Sequence, residues 1–197
     1  MNKDQQLMHL RKLAEETTIL RKSVIEQLGP DIIDLAAVIS GVIGTGGKLL
    51  IAGNGGSAAD ASHFAAEMVV RLTSDRNRQS LPAMALSVDP SVMTAAANDF
   101  GFDNVFARQI EGLGNKGDML FAISTSGNSP NLIKAAQTAR DKGLISVGLL
   151  GGGGGKLAPL VDRALIVPHP STQRIQEEHI FVIHLLVELV ESDLFSK

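Results

Sequence analysis

The stretch KLLIAGNGGSAADASHFAAE, residues 48–67, passes from an apolar run through a glycine-rich turn into a helical pattern. The apolar residues 48–52 predict a buried strand, and the small residues 53–57 predict a tight turn. A helix is predicted from Ala58 to Leu72, with apolar positions on one side. Because ligands bind beyond the carboxyl ends of strands in open parallel sheets, this turn is a candidate binding site.

The same alternation of strand and helix continues along the chain. Since strands that alternate with helices form parallel sheets covered on both faces, the sequence predicts an α/β fold. The remaining predicted strands are short apolar runs bounded by polar residues or glycine, at Ala83–Ser87, Met119–Ser124, Ser146–Leu150 and Ala164–Val167. The remaining predicted helices are Ser91–Ala97, Asn104–Leu113, Pro130–Lys142 and Gln173–Leu194.

The first 45 residues are predicted to be helical. Apolar residues from Leu7 to Leu28 recur at intervals of three and four, which predicts a helix with one apolar stripe. A second helix is expected at 31–43, opened by Gly29-Pro30 and closed by glycines. At 197 residues the chain is long enough for one buried core, so we expect a single domain, 1–197, without a linker.

Composition excludes several classes of function. The net charge of −3 and the pI near 5.9 give no basic footprint for nucleic acid, and Arg71, Arg76 and Arg78 are interpreted as a solvated loop. The absence of cysteine excludes disulfides and thiolate chemistry. Polar residues open the chain and its longest apolar run is interrupted by His184 and Glu188, so we expect a soluble cytoplasmic protein without a membrane partner.

The loop STSGNS, residues 124–129, carries four hydroxyls immediately before a predicted helix. Hydroxyl groups and the free N–H groups of a helix N-terminus complement a phosphate, which makes this loop a candidate phosphate site. The alternative is an ordinary helix cap, but a cap needs only one hydroxyl. Another glycine run, residues 151–155, does not fit the Walker pattern because Leu157 follows Lys156, so we interpret it as a flexible loop.

His63 and Glu67 lie four residues apart and therefore share a helix face that begins at the glycine turn. A surface hydrogen bond is the alternative at this spacing, and proximity to a ligand loop favours a functional pair. Gln176 and His184, eight residues apart on the last helix, also lie on one side. No role is assigned to His9, His169 and His179.

Four segments together resemble the bacterial phosphoheptose isomerases of the sugar isomerase (SIS) domain superfamily, and the likeness covers essentially the whole chain. They are GNGGSAADASHFAAE (53–67), AANDFGF (96–102), STSGNSPN (124–131) and RIQEEHIFVIH (174–184). The resemblance implies a flavodoxin-like sheet of five parallel strands, followed by a C-terminal helix in the 46–197 core. It also implies a homotetramer held by terminal helices, with residues 1–45 as an oligomerisation segment and active sites at subunit contacts.

The resemblance also implies roles for individual residues. The substrate positions would be Asn54, Gly55, Gly56, Ser57, Asn98, Asp99, Ser124, Thr125, Ser126, Ser129 and Gln176. One zinc ion per subunit would be held by His63, Glu67, Gln176 and His184. Glu67 and His184 would also be the catalytic acid/base groups in an isomerisation of sedoheptulose 7-phosphate to D-glycero-D-manno-heptose 7-phosphate, the first step towards heptose in lipopolysaccharide or surface glycans.

Two other functions are compatible with the same fold. Some relatives are tetrameric partner-binding proteins that lack the acid/base pair, and others are regulators that sense sugar phosphates through an added DNA-binding domain. The presence of both Glu67 and His184 favours an enzyme over the first alternative. The length of the chain leaves no room for the additional domain of the second.

Overall fold

The computed structural model describes residues 1–195 and has one parallel sheet of five strands in the order β2-β1-β3-β4-β5. All four pairings are parallel, with Leu49 opposite Met119 and Met119 opposite Ile145. This confirms the predicted fold class. The strands are β1 Leu49–Gly53, β2 Ala83–Ala85, β3 Met119–Ser124, β4 Ile145–Leu150 and β5 Arg163–Ile166.

Six α-helices in the described part of the chain surround the sheet. They are α1 Lys3–Gly44, α2 Gly56–Val69, α3 Pro90–Phe100, α4 Val105–Leu113, α5 Pro130–Asp141 and α6 Thr172–Phe195. The five helices after α1 fall where the sequence predicts them. Their ends differ from the predicted ones by at most three residues, as expected where capping decides the last turn.

Alternate strand residues divide the interior into two layers. Leu49, Ile51 and Phe121 face α1, α2 and α6, whereas Leu50 and Leu120 face α3, α4 and α5. A strand that is apolar on both faces has a near-continuous apolar sequence, which is the pattern seen in β1 and β3. The fold therefore has three layers, with the sheet between two layers of helices.

The N-terminal segment is one helix of 42 residues, so the prediction of two helices is wrong. Gly29 and Pro30 lie inside α1 rather than between two helices. Proline removes one backbone hydrogen bond within a helix, a cost that the surrounding packing must offset. Val24 and Ile32, on either side of Pro30, are both buried in the core, and this packing keeps the helix continuous.

The inner face of α1 packs against α6, partly through an ion pair between Arg21 and the fully buried carboxylate of Glu178. By length and composition alone α1 could span a membrane, a property that core helices of soluble proteins share. Of the most apolar 18-residue window of α1, only 28% is buried inside the chain. Much of the apolar surface of α1 is therefore open to a partner.

Candidate active site

Two loops meet at the point where the strand order reverses, between β1 and β3. One is the glycine loop, residues 53–57, after β1, and the other is the serine loop, residues 124–129, after β3. The side-chain amides of Asn54 and Asn131 exchange two hydrogen bonds of 2.9 Å across the crevice. The reversal point of a doubly wound sheet is the usual place for ligands, and here its two walls are tied together.

The glycine loop is held tightly against the start of α2. Gly53 lies so close to α2 that a Cβ there would be 2.6 Å from the carbonyl carbon of Ser57. Gly56 in turn faces α6, since a Cβ at this position would lie 3.0 Å from the Cδ of Gln176. The structure therefore brings the predicted residue Gln176 to the glycine loop.

The hydroxyls of the serine loop divide into two groups. Those of Ser124 and Ser126 accept hydrogen bonds from the backbone N–H groups of Gly127 and Asn128, and so shape the turn. Thr125 and Ser129 are half-buried, and Ser129 begins α5 without capping it through its side chain. The hydroxyls of Thr125 and Ser129 are the ones best placed to meet a ligand.

The segment 151–155 supports the serine loop, so the predicted flexible loop is instead packed. A Cβ on Gly127 would lie 2.9 Å from the backbone nitrogen of Gly155. The N–H of Leu157 donates to the carbonyl of Gly127 at 2.9 Å, and that of Lys156 donates to the Asn128 side chain at 3.1 Å. Four of the five glycines have positive φ, which explains why this support needs glycine.

His63 of α2 lies next to Glu67 of the same helix and to His184 of α6. The Nε2 atoms of His63 and His184 are 2.8 Å apart, and Glu67 Oε1 lies 3.7 Å from Nε2 of His63. The other carboxylate oxygen, Glu67 Oε2, is buried and has no hydrogen-bond partner in the described part of the chain. A buried carboxylate oxygen without a partner is costly unless a ligand, a water or an ion satisfies it.

The donor set fits zinc in its chemistry, since two imidazole nitrogens and a carboxylate oxygen are typical zinc ligands. Glu67 Oε1 lies 3.7 Å from Nε2 of His63, which supports this fit. As the side chains stand, no three His, Asp or Glu residues within 1–195 converge closely enough to surround an ion. Gln176 lies against Gly56, and no hydrogen bond of the described residues joins it to the two imidazoles. The zinc set therefore stays a prediction.

Asn98 and Asp99 are not brought to the two loops by this chain. Both are exposed near the end of α3, where the amide of Asn98 donates to the Asp99 carboxylate at 2.8 Å. No hydrogen bond among residues 1–195 joins them to the glycine or serine loop. Their predicted role in substrate binding stays a prediction.

Arg78 does not belong to a solvated loop, so that interpretation is wrong. Its side chain is 1% exposed and pairs with Glu191 of α6 at 2.6 Å, because the chain after α2 folds back between α2 and α6.

Asn131 and Glu191 are not among the residues that the sequence predicts for the site. Asn131 lies within the serine-rich motif, but nothing in the sequence shows that its amide faces that of Asn54.

Asp60 lies one turn before His63 on α2 and is almost fully buried, with its Oδ2 atom unpaired. Burial raises the pKa of this carboxyl from 3.8 to about 6, against a smaller opposing effect of His63. The unfolded chain thus ionises Asp60 at lower pH than the folded chain does. Between pH 4 and 6 the folded state binds more protons, and stability falls as the pH rises.

We therefore expect Asp60→Asn to stabilise the protein at pH 8 by about 2 kcal/mol, because the variant no longer buries a charge there. At pH 3, which lies below the pKa of the carboxyl in both states, the difference should largely vanish. Urea unfolding at both pH values measures this. Equal stability of the two proteins at pH 8 would contradict the conclusion that burial of the ionised Asp60 carboxylate destabilises the fold.

The fold and the two loops define an SIS domain, and the sequence profile of this family matches residues 13–151. The phosphoheptose isomerase of Chlorobaculum parvum is 52% identical over 174 residues, which cover 88% of this chain and 83% of that relative. The phosphoheptose isomerase of Helicobacter hepaticus is 53% identical over 166 residues, covering 84% of each chain. Among solved structures, the phosphoheptose isomerase of Neisseria gonorrhoeae superposes with a TM-score of 0.89 at 39% identity, covering 95% of this chain and 99% of that one.

The two curated relatives match more than four fifths of the chain in sequence, and the solved structure matches 95% of it in architecture. The chain therefore belongs to the phosphoheptose isomerase family of SIS-domain proteins.

Proposed function

We propose that this protein is an aldose–ketose isomerase that converts sedoheptulose 7-phosphate to D-glycero-D-manno-heptose 7-phosphate. The observation that carries the proposal is that His63 contacts both Glu67 and His184, on the helix α2 that begins in the glycine loop, while Asn54 and Asn131 join the two loops. Family membership supports it, since relatives at about half identity are named phosphoheptose isomerases. The product would supply heptose for lipopolysaccharide or surface glycans.

The reaction moves the carbonyl from C2 to C1 and needs two proton transfers. A base removes a proton from C1 to give a cis-enediol, and the same proton, or one from solvent, is returned to C2. Glu67 suits this role because its unpaired Oε2 is free to accept the proton. His184 would carry the proton from the C1 hydroxyl to the oxygen on C2, since a neutral imidazole can accept on one nitrogen while it donates from the other.

We also propose one zinc ion per subunit, held by His63, Glu67, Gln176 and His184. A bound zinc would polarise the sugar carbonyl and stabilise negative charge on its oxygen. The two imidazoles supply nitrogen donors, and Glu67 Oε1, which lies 3.7 Å from His63 Nε2, supplies an oxygen donor, so that Oε2 is left for the proton transfer. Metal analysis of the purified protein, with and without a chelator, tests this proposal separately from activity.

A homotetramer in the cytoplasm completes the proposed function. Support comes from the apolar side chains that α1 leaves exposed, among them Leu7, Leu10, Ile19 and Ile33. Several large apolar side chains exposed along one helix are typical of a surface that another subunit covers. The isolated position of Asn98 and Asp99 is consistent with a site completed by a second subunit.

Proton NMR of sedoheptulose 7-phosphate incubated with the protein in deuterated water is the direct test. We expect an aldoheptose phosphate to appear with deuterium at C2, because a base that exchanges its proton with solvent returns deuterium. A ketose that stays unchanged, even with zinc added, would overturn the proposed activity.

The serine loop gives a separate prediction about substrate affinity. Thr125→Val, which keeps the shape but removes a hydroxyl, should raise KM for the sugar phosphate by about tenfold with little change in kcat, as expected for a hydrogen bond to a charged group. Steady-state kinetics measures both constants. Thr138→Val in α5, remote from the loop, is the matched control, and an equal KM in the two variants would contradict phosphate binding by Thr125.

A further inference from the structure

Arg78 uses its whole guanidinium group inside the protein. Nε donates to Glu191 Oε1 at 2.6 Å, Nη2 donates to the carbonyl of Glu67 at 2.7 Å, and Nη1 donates to the carbonyl of Met68 at 2.8 Å. Those two carbonyls belong to the last turn of α2, which has no basic residue of its own. Arg78 therefore supplies the hydrogen bonds that the end of this helix lacks.

Glu191 fixes the other side of the contact. Its carboxylate is 2% exposed and also accepts from the N–H of Leu72, just beyond α2, at 3.2 Å. Glu191 lies seven residues after His184 on α6, which is about two turns, so both residues lie on the side of α6 that faces α2. We name the Arg78–Glu191 pair, with its bonds to the end of α2, the α2–α6 clamp.

The two helices that the clamp joins are the ones that carry the candidate catalytic groups. His63 and Glu67 lie on α2 and His184 lies on α6, and the imidazoles form a further contact of 2.8 Å between the two helices. Two attachments about two turns apart fix both the spacing and the register of a helix pair. One of the hydrogen bonds of Arg78 goes to the backbone of Glu67 itself.

We propose that Arg78 and Glu191 are positioning residues for the isomerisation. They hold α2 and α6 in the register that places the Glu67 carboxylate and the His184 imidazole against the same substrate. This inference rests on the proposed function for its activity readout. An arginine is needed because only its planar group can reach a carboxylate and two carbonyls at once.

Arg78→Lys tests the proposal, since it keeps the positive charge but loses the planar guanidinium whose three nitrogens donate at once. We expect kcat to fall by about 10- to 100-fold, the range in which small misplacements of catalytic groups lie. KM should change by less than about threefold, because the serine loop, which is proposed to bind the phosphate, lies between β3 and α5 and not on the two helices that the clamp joins. If Arg78→Lys does not fold, Glu191→Gln, which keeps the volume and an acceptor oxygen, takes its place with the same expectation.

Arg21→Ala is the matched control. It breaks another ion pair of α6, that with the fully buried Glu178, but one that leads to α1 and not to α2. Its kcat should stay within about twofold of the wild type at temperatures where both proteins are folded. An equal fall of kcat in Arg78→Lys and Arg21→Ala would reduce the clamp to a structural ion pair and overturn the proposal.

The ¹⁵N NMR shifts of the His63 and His184 imidazoles provide a readout that needs no substrate. They should change in Arg78→Lys and stay as in the wild type in Arg21→Ala, because only the first alters the register of α2 and α6. A wild type that does not isomerise the heptose phosphate would overturn the proposed function alone. Unchanged imidazole shifts in Arg78→Lys would overturn the clamp, whatever the substrate.

Discussion

Glu67→Gln should abolish isomerisation, with a loss of kcat of about 10³-fold or more. The amide has the size and nearly the shape of the carboxylate, so the contacts of the side chain with α2 and His63 are kept. What it loses is the ability to accept a proton from C1 of the sugar. The buried Oε2 atom, which has no hydrogen-bond partner among residues 1–195, is the atom that this substitution disables.

Deuterium incorporation separates this loss from a loss of binding. The variant should bind the sugar phosphate with a Kd close to that of the wild type, yet exchange none of its C1 protons with solvent. Glu111→Gln, at an exposed site on α4, is the control for removing one carboxylate, and it should behave as the wild type. A Glu67→Gln protein that retained more than a tenth of the wild-type kcat would exclude Glu67 as the base.

The sheet and its helices could be predicted because their signals are local. Apolar runs such as 119–124 and 145–150 are too short for helices and too apolar for exposed strands, and each is followed by glycine or a hydroxyl-rich turn. The serine loop and the His63/Glu67 pair are likewise visible, since their residues are neighbours in sequence. Their convergence follows from the topology of a doubly wound sheet.

Other features depend on contacts between segments far apart in sequence. Pro30 is a local signal for a helix boundary, yet burial of Val24 and Ile32 on either side keeps α1 continuous. Arg78 has the polar neighbours of a surface loop. Its pairing with Glu191 becomes visible only when the chain is folded against α6. In both cases tertiary packing overrides a local preference, and no pattern within a single segment records it.

The glycine run at 151–155 shows the same limit. Its composition is typical of flexibility, whereas its function in the fold is close approach to the backbone of the serine loop. The four positive φ angles and the hydrogen bonds of the adjacent residues with Gly127 and Asn128 give it a defined conformation. Composition reports which conformations a segment can adopt, and its neighbours decide which one it does adopt.

Gly53→Ala should disable the site without touching any group that performs chemistry. A Cβ at Gly53 would lie 2.6 Å from the carbonyl carbon and 3.0 Å from the Cβ of Ser57, so the first turn of α2 must move away from β1. Overpacking of this kind costs about 1 to 3 kcal/mol of folding free energy. Because the same turn leads to His63 and Glu67, we expect kcat/KM to fall by about 10²-fold in protein that still folds.

Gly112→Ala provides the contrast that identifies the cause. Gly112 lies in α4, where a Cβ would meet no atom within 4 Å from the other described parts of the chain, and alanine favours a helix over glycine by about 1 kcal/mol. This variant should therefore be at least as stable as the wild type and fully active. Thermal unfolding and kinetics on both variants check the pair of expectations. Wild-type activity in Gly53→Ala would mean that α2 can move from β1 without cost, and that the position of the glycine loop does not set the distance between Glu67 and the substrate.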